Sequence, residues 1–354
     1  MKRCFVLSIL IIFVLSGFGY GEKKFELIQK YTGDQIFGMY FFDAVVDKDG
    51  DLIAGFSIPN CMVINEKGMS ELGPIGQGPG DLDGYYTIFI LDNNDLVVEG
   101  AAGKLKVFEK KNGKYTWKKT IWKQIDRRAF LAHDSLFYDG KWYFSGLGSY
   151  YGPKSKEFKV YYLKVYSAEG KFIKNMVEEV FPKPYKYHHM DYYLALYKNK
   201  VYLLTENRLH LRIISPTELK VEREVKLETP DYYKPIPKDY YAYPEKFQLI
   251  SDADLRKEQY IWKTSYSRIV NALIEGHWLV IQIRTCSEKM KRFALLFYNA
   301  DNFKLEQTIF TDDFLLASRD GKYYFFKNGN PSYDEEADEA VINIYRFKDE
   351  KDKK

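Results

Sequence analysis

Six times along this chain a turn-forming pair precedes a short run of strand-favouring residues. The pairs are Asp49-Gly50, Asn93-Asn94, Asp139-Gly140, Asn199 with Lys200, Glu275-Gly276 and Asp320-Gly321. The runs behind them are Asp51 to Ala54, Leu96 to Val98, Trp142 to Phe144, Val201 to Leu204, Trp278 to Ile281 and Tyr323 to Phe326. Asn, Asp and Gly tolerate positive φ and so close tight hairpins. A hairpin that keeps returning at long intervals marks a repeat architecture, in which each unit needs its neighbours to bury its apolar faces.

The interval is 44 to 46 residues between the first three signals and again between the last two, with two longer gaps in the middle. That is the length of a four-stranded propeller blade. Tyr (31) and Phe (25) are abundant, and aromatics suit a pleated, half-buried surface. The sequence therefore predicts an all-β, six-bladed β-propeller of four-stranded blades. The blades begin near Phe42, Thr87, Leu131, Tyr192, Ser267 and Phe314. Blade 6 offers only three strands, near Phe314 to Ser318, Tyr323 to Lys327 and Ala340 to Phe347. The spare strand from Phe25 to Tyr31 is expected to supply its fourth and close the ring, which removes an exposed sheet edge.

The longest gap holds no further blade. Residues Glu228 to Trp262 contain Pro230, Pro235, Pro237 and Pro244 among many tyrosines, and proline interrupts hydrogen-bonded ladders. This stretch reads as a Tyr/Pro-rich insertion between blades 4 and 5, crossing one face of the disc, with one helix candidate at Asp252 to Tyr260.

Residues 1–21 read as an export signal: Lys2 and Arg3 lead into the apolar run Phe5 to Leu15, with small residues at Gly19 and Gly21 and cleavage expected before Glu22. The run is too short to span a bilayer. In Leu15-Ser16-Gly17-Phe18 a phenylalanine stands where a lipidated cysteine would be, so no lipid anchor is expected. Localisation is then periplasmic or extracellular, with one propeller domain over 22–348 and a charged tail over 349–354. Without the signal, 51 basic residues face 49 acidic ones, a balance that leaves no footprint for nucleic acid. Cys61 and Cys286 are expected to be free and buried, since they fall in blades 1 and 5. A monomer without cofactor is expected.

The pattern Asp47-Lys48-Asp49-Gly50-Asp51-Leu52, Val63-Ile64-Asn65-Glu66-Lys67-Gly68 and Gly73-Pro74-Ile75-Gly76-Gln77-Gly78-Pro79-Gly80-Asp81-Leu82 resembles an NHL-type repeat, in particular the secreted six-bladed propellers of bacteria. The resemblance implies fold and export, not a reaction.

Chemistry-bearing groups are scattered. Asp47, Asp49 and Asp51 resemble the start of a calcium loop, but the glycine falls at the fourth position and no glutamate closes the loop, so a hairpin turn is expected. His188 and His189 are adjacent and on a strand would point to opposite faces, which disfavours a shared metal. Inner-strand starts and connecting loops form a propeller's channel mouth. Position therefore selects Asp43, Tyr86, His133, Asp134, His189, Asp191, Arg268 and Asp312, with loop residues Arg208, Arg284, Tyr232, Tyr233, Tyr240 and Tyr241, as ligand-binding candidates; no catalytic residue is singled out. Mixed charge with abundant tyrosine suits a glycan, a peptide or an envelope protein. The alternative is a metal-dependent propeller hydrolase, lactonase or lyase working at the channel from Asp43, His133 and Asp191.

Overall fold

The computed structural model describes residues 25–33, 41–56, 61–74, 78, 80–82, 85–100, 103–124, 130–151, 158–181, 192–205, 208–235, 265–286, 290–327 and 340–347. The first strand, β1 (Phe25–Gly33), stands apart from the sheet that follows it. Blade 1 is β2 (Phe41–Val46), β3 (Leu52–Phe56), β4 (Cys61–Asn65) and β5 (Gly68–Glu71). Blade 2 is β6 (Tyr85–Ile90), β7 (Leu96–Gly100), β8 (Lys104–Lys111) and β9 (Lys114–Trp122). Blade 3 is β10 (Phe130–Tyr138), β11 (Lys141–Tyr151), β12 (Phe158–Ser167) and β13 (Phe172–Phe181). Blade 4 is β14 (Tyr192–Tyr197), β15 (Lys200–Thr205), β16 (Arg208–Ser215) and β17 (Lys220–Lys226). Blade 5 is β18 (Arg268–Glu275), β19 (Trp278–Arg284), β20 (Phe293–Asn299) and β21 (Leu305–Thr311). Blade 6 takes β22 (Phe314–Arg319), β23 (Lys322–Phe326) and β24 (Ala340–Phe347) from the C-terminal end.

Every blade is an antiparallel sheet of four consecutive strands except the last, whose order is β22-β23-β24-β1. The N-terminal strand thus closes the ring, with Phe25 opposite Phe347 and Gly33 opposite Ala340. Phe25 anchors the closure: its ring lies 4.7 Å from Phe347, 5.2 Å from Tyr323 and 6.0 Å from Phe297 of blade 5. Asp139 with Gly140 and Asp320 with Gly321 adopt positive φ as predicted, the conformation a two-residue hairpin requires. In blades 4 and 5 the turn is shifted by one residue from the predicted pair: Lys198 with Asn199 makes the turn and Lys200 already pairs in β15, while Glu275 pairs with Trp278 and leaves the turn to Gly276 and His277.

The inner strands run beside one another around the disc, β2 by β6, β6 by β10, β10 by β14, β14 by β18, β18 by β22 and β22 by β2. The core is correspondingly split into layers between neighbouring blades. Ile53 and Cys61 of blade 1 pack with Leu96 and Phe108 of blade 2. Leu105 and Val107 face Trp142 and Phe144 of blade 3, and Tyr143 and Leu163 face Leu194 and Leu203 of blade 4. Strands buried on both faces need apolar residues at successive positions, which is why β4, β7 and β20 read as continuous buried runs. Outer strands such as β17 alternate instead, with one side in solvent.

The helix candidate at 252–260 lies outside the described residues. Cys61 and Cys286 are both free. Cys61 is fully buried, but Cys286 is partly exposed, because it follows β19 at the loop edge, 3.9 Å from the Ser267 hydroxyl, rather than within a strand.

Candidate functional site

The channel-lining strands carry a repeated polar device. Four residues before the last hydrogen-bonded residue of each inner strand stand Asp43, Thr87, Asp134, Tyr193, Asn271 and Leu315. All but the last reach across to the next inner strand. Asp43 Oδ2 accepts from the Ile88 amide at 2.9 Å, and Asp134 Oδ2 from the Leu194 amide at 2.6 Å. Thr87 Oγ1 lies 2.7 Å from Ser135 Oγ, the Tyr193 hydroxyl donates to the Ile269 carbonyl at 3.4 Å, and Asn271 Nδ2 donates to the Leu315 carbonyl at 2.7 Å. Gln282 strengthens the last junction, accepting from the Leu315 amide and donating to the Asp313 carbonyl, each at 2.9 Å.

Bulges create this geometry. In β2, β10 and β18 the register shifts by one residue just before Asp43, Asp134 and Asn271. An extra residue re-aims the side chain that follows it, here out of the blade and towards its neighbour. A half-buried carboxylate so placed satisfies a backbone amide that the open inner edge would otherwise leave without a partner. The second oxygens are used locally: Asp43 Oδ1 accepts from Ala44 at 2.8 Å, and Asp134 Oδ1 from Ser135 at 2.6 Å.

The two acids share an electrostatic environment. Burial, and then the charge of Asp134, push the Asp43 carboxyl well above the usual carboxylate range. Burial pushes Asp134 up to about 7, against the pull of the Leu194 and Ser135 amides and of His133. Each charge suffers from desolvation and the pair from like-charge repulsion, so near neutrality the arrangement favours a bound proton. His133 is the bulge residue between Ala132 and Asp134, and its ring lies 6.0 Å from that of Tyr192.

The remaining candidates disperse. Arg268 opens β18 and is buried, directly opposite Arg284 at the end of β19. Arg208 begins β16 and is exposed. Asp312, between β21 and β22, pairs with Lys291 and accepts from the Arg292 amide at 3.1 Å. Tyr232 rests on Phe310 with ring centroids 5.2 Å apart, and Tyr233 is buried in the layer between blades 4 and 5. Tyr86 lies on β6, its side chain outside the described residues. His189, Asp191, Tyr240 and Tyr241 also lie outside the described residues. The structure thus couples Asp43 and Asp134 electrostatically and leaves Arg208, Arg268, Arg284, Tyr232 and Tyr233 at blades 4 and 5.

The roots of the Tyr/Pro-rich insertion are well defined. The Lys234 amide donates to Ser267 Oγ at 3.0 Å, and the Ser267 amide returns a bond to the Lys234 carbonyl at 2.8 Å. Lys234 Nζ lies 4.9 Å from the centre of the Tyr266 ring, and the Tyr298 hydroxyl of blade 5 donates to the Glu228 carbonyl at 2.6 Å. Lys234 and Ser267 are therefore pinned to each other, immediately before Arg268.

Sequence reasoning missed the ion pairs within and between blades. Arg212 of β16 binds Glu179 of β13 at 2.5 Å and Glu224 at 3.2 Å, while Lys123 binds Glu99 and lies 3.9 Å from the centre of the Phe144 ring. Among the described residues, no group of three or more His, Cys, Asp or Glu is arranged to hold a metal ion.

No family model and no curated protein matches the sequence. Solved structures do match. A member of the DUF4221 family from Bacteroides vulgatus ATCC 8482 superposes with a TM-score of 0.58 at 10% identity, over 93% of this chain and 99% of that one. A candidate exported protein from Bacteroides fragilis NCTC 9343 gives 0.58 at 12%, over 92% and 96%. This chain is a six-bladed β-propeller resembling these Bacteroides proteins. At such identities the likeness concerns the fold. No helix among the described residues is long and apolar enough to cross a membrane.

Proposed function

We propose that the chain is an exported, non-catalytic binding propeller, and that it holds a glycan, peptide or protein partner at the face where the inner strands begin. One observation carries this reading: Asp43 and Asp134 spend their oxygens on inter-blade amides, while the insertion is rooted by its pinned stem beside Arg268 and Arg284. Acids committed to backbone bonds are poorly placed to serve as the acid, base or metal ligands of a hydrolase. Arginine offers a fork of donors suited to carboxylates or paired hydroxyls.

Export is supported by the basic-then-apolar residues 1–21, by the NHL-like pattern of blade 1 and by the candidate exported protein of Bacteroides fragilis that shares the fold. On this reading cleavage precedes Glu22, one propeller domain occupies 22–348, and residues 228–262 are a binding insertion.

The test is to replace 235–266 by a four-residue turn. The pinned stem lets the blades fold without it, so melting should stay sharp while retention on glycan and peptide arrays disappears. Unchanged retention by the shortened protein would place the partner elsewhere.

A further inference from the structure

Blade 2 overhangs its neighbour. Its outer strands β8 and β9 have eight and nine residues, whereas β5 of blade 1 has four. Part of the blade-1 side of β9 is therefore uncovered. The ladder identifies which side chains lie there: Trp117 is opposite Phe108, Thr120 opposite Lys106 and Trp122 opposite Lys104, with a bulge between Trp117 and Lys119. Because ladder partners share a face and alternate positions repeat it, Trp117, Thr120, Trp122 and Lys104 form one row. Phe108 at the inner end of the row is buried against blade 1.

The row is open but ordered. Trp117 is 41% exposed and Trp122 62% exposed. A methyl group on Gly80 would stand 3.3 Å from Trp117 Cβ, tighter than most such contacts, so the blade 1–2 connection lies close against that side chain. The Trp117 indole donates to Thr120 Oγ1 at 3.3 Å, and Lys104 Nζ lies 5.3 Å from the centre of the Trp122 ring.

We propose that this row is a second binding site, independent of the insertion, for an uncharged or sparsely charged linear polysaccharide. Two sugar rings would stack on Trp117 and Trp122, with hydroxyls meeting Thr120 and Lys104. A pyranose presents apolar C–H faces and polar edges, and the row alternates flat indoles with a hydroxyl and an ammonium in the same way. A protein partner would instead need a contiguous apolar centre, which two separated indoles do not provide. Four ladder steps put the indoles ~13 Å apart, so a chain can bridge them and a single sugar cannot.

Charge argues against nucleic acid. Residues 104–123 contain eight lysines and one acid, Glu109. Five of those lysines are held by the protein's own groups: Lys106 by the Gly78 and Asp81 carbonyls, Lys110 by Asp47, Asp49 and Asp51, Lys111 by Glu109, Lys118 by Asp95 and Lys123 by Glu99. A surface so neutralised is a poor counterpart for a phosphate backbone.

The experiment is affinity electrophoresis of the mature protein through gels containing neutral plant, fungal and bacterial polysaccharides, with oligodeoxythymidine as a further arm. Retardation by at least one neutral polysaccharide is expected. It should weaken at least tenfold in Trp117→Ala and in Trp122→Ala and vanish in the double variant, while the protein with shortened 235–266 is retarded as the parent is. Fragments of the retaining polysaccharide should quench tryptophan fluorescence, and the monosaccharide should not. Melting curves check the fold, and the highly exposed Trp122 keeps the test valid if Trp117→Ala is destabilised. Absence of retardation across the gels, retardation unchanged in the double variant, or indole-dependent retardation by oligodeoxythymidine alone would overturn the proposal.

Discussion

Lys110 Nζ lies 2.5 Å from Asp47 Oδ2, joining the outer hairpin of blade 2 to the first hairpin of blade 1. Asp49 and Asp51 approach the same ammonium at 2.6 and 2.9 Å, and the Tyr115 hydroxyl donates to Asp47 at 2.7 Å. Burial opposes the ammonium, but hydrogen bonds to the three carboxylates hold its pKa above the usual lysine value. The turn that resembles a calcium loop thus has a covalently tethered cation. Removing it leaves clustered carboxylates with nothing between them, and breaking a buried charge cluster costs about 3 kcal/mol. Lys110→Met should lower the melting temperature. Calcium should restore part of the loss in the variant and leave the parent unchanged, as thermal melts with calcium or chelator will show.

The Asp43 and Asp134 pair makes stability depend on pH. A carboxyl raised in the folded state binds its proton more tightly there than in the unfolded chain, so the folded state is not penalised below the unfolded value near 4. Asp134's share of the penalty grows as pH rises through the window from there to about 7, where it ionises, and is fully present above that, while Asp43, held well above the usual carboxylate range, adds to the fall. Urea denaturation at a series of pH values should show stability falling across that window. In the double variant Asp43→Asn, Asp134→Asn the slope should flatten; an unaltered slope would mean that other groups govern it.

Ring closure rests on β1. Deleting residues 25–33 removes the partner of β24 and exposes the Phe297, Tyr323 and Phe347 cluster. Aggregation and a much lower melting temperature are expected, measured by light scattering and calorimetry. Phe25→Ala alone should cost about 2 kcal/mol, below the usual range for truncating a fully buried phenylalanine because Phe25 is only part-buried.

Gly170, at the outer hairpin of blade 3, has a φ of +83°, and a methyl group there would stand 2.5 Å from the Trp122 carbonyl oxygen. The Gln124 amide donates to the Gly170 carbonyl at 2.7 Å, so the close approach joins two blades. Gly170→Ala should destabilise by more than about 2 kcal/mol. Gly113 offers the control: its φ is +76° but nothing lies within 4 Å of an added methyl, so Gly113→Ala should cost only the conformational strain of about 1 kcal/mol.

The blades were legible because the hairpin chemistry is local. Asp139-Gly140 or Asp320-Gly321 announces its turn without reference to distant residues, and the uneven count of strands in blade 6 pointed to β1. The channel device was only half legible. Asp43 and Asp134 stand near inner-strand starts, which the sequence shows, but their inter-blade role depends on bulges that no residue announces. The turn pairs do not reveal it either: they begin six residues beyond Asp43, Thr87 and Tyr193, five beyond Asp134 and four beyond Asn271, because the hairpin loops differ in length and placement. The ion pairs carried no signal: which residues meet across blades, as Arg212 and Glu179 do, depends on how two sheets stack, and Lys123 reaches Glu99 within blade 2 only because the folded sheet brings the end of β9 beside β7.

Blade 6 draws its strands from both ends of the chain, so β1 and its partner β24 are about as far apart in sequence as this protein allows. During synthesis β1 exists long before Ala340–Phe347 does. Pairing so distant in sequence carries a large loop-closure cost and is slow to form. Completion of the disc is therefore a late event in the life of the molecule, and until then the nine residues of β1 remain a lone strand that holdases can guard and proteases can cut.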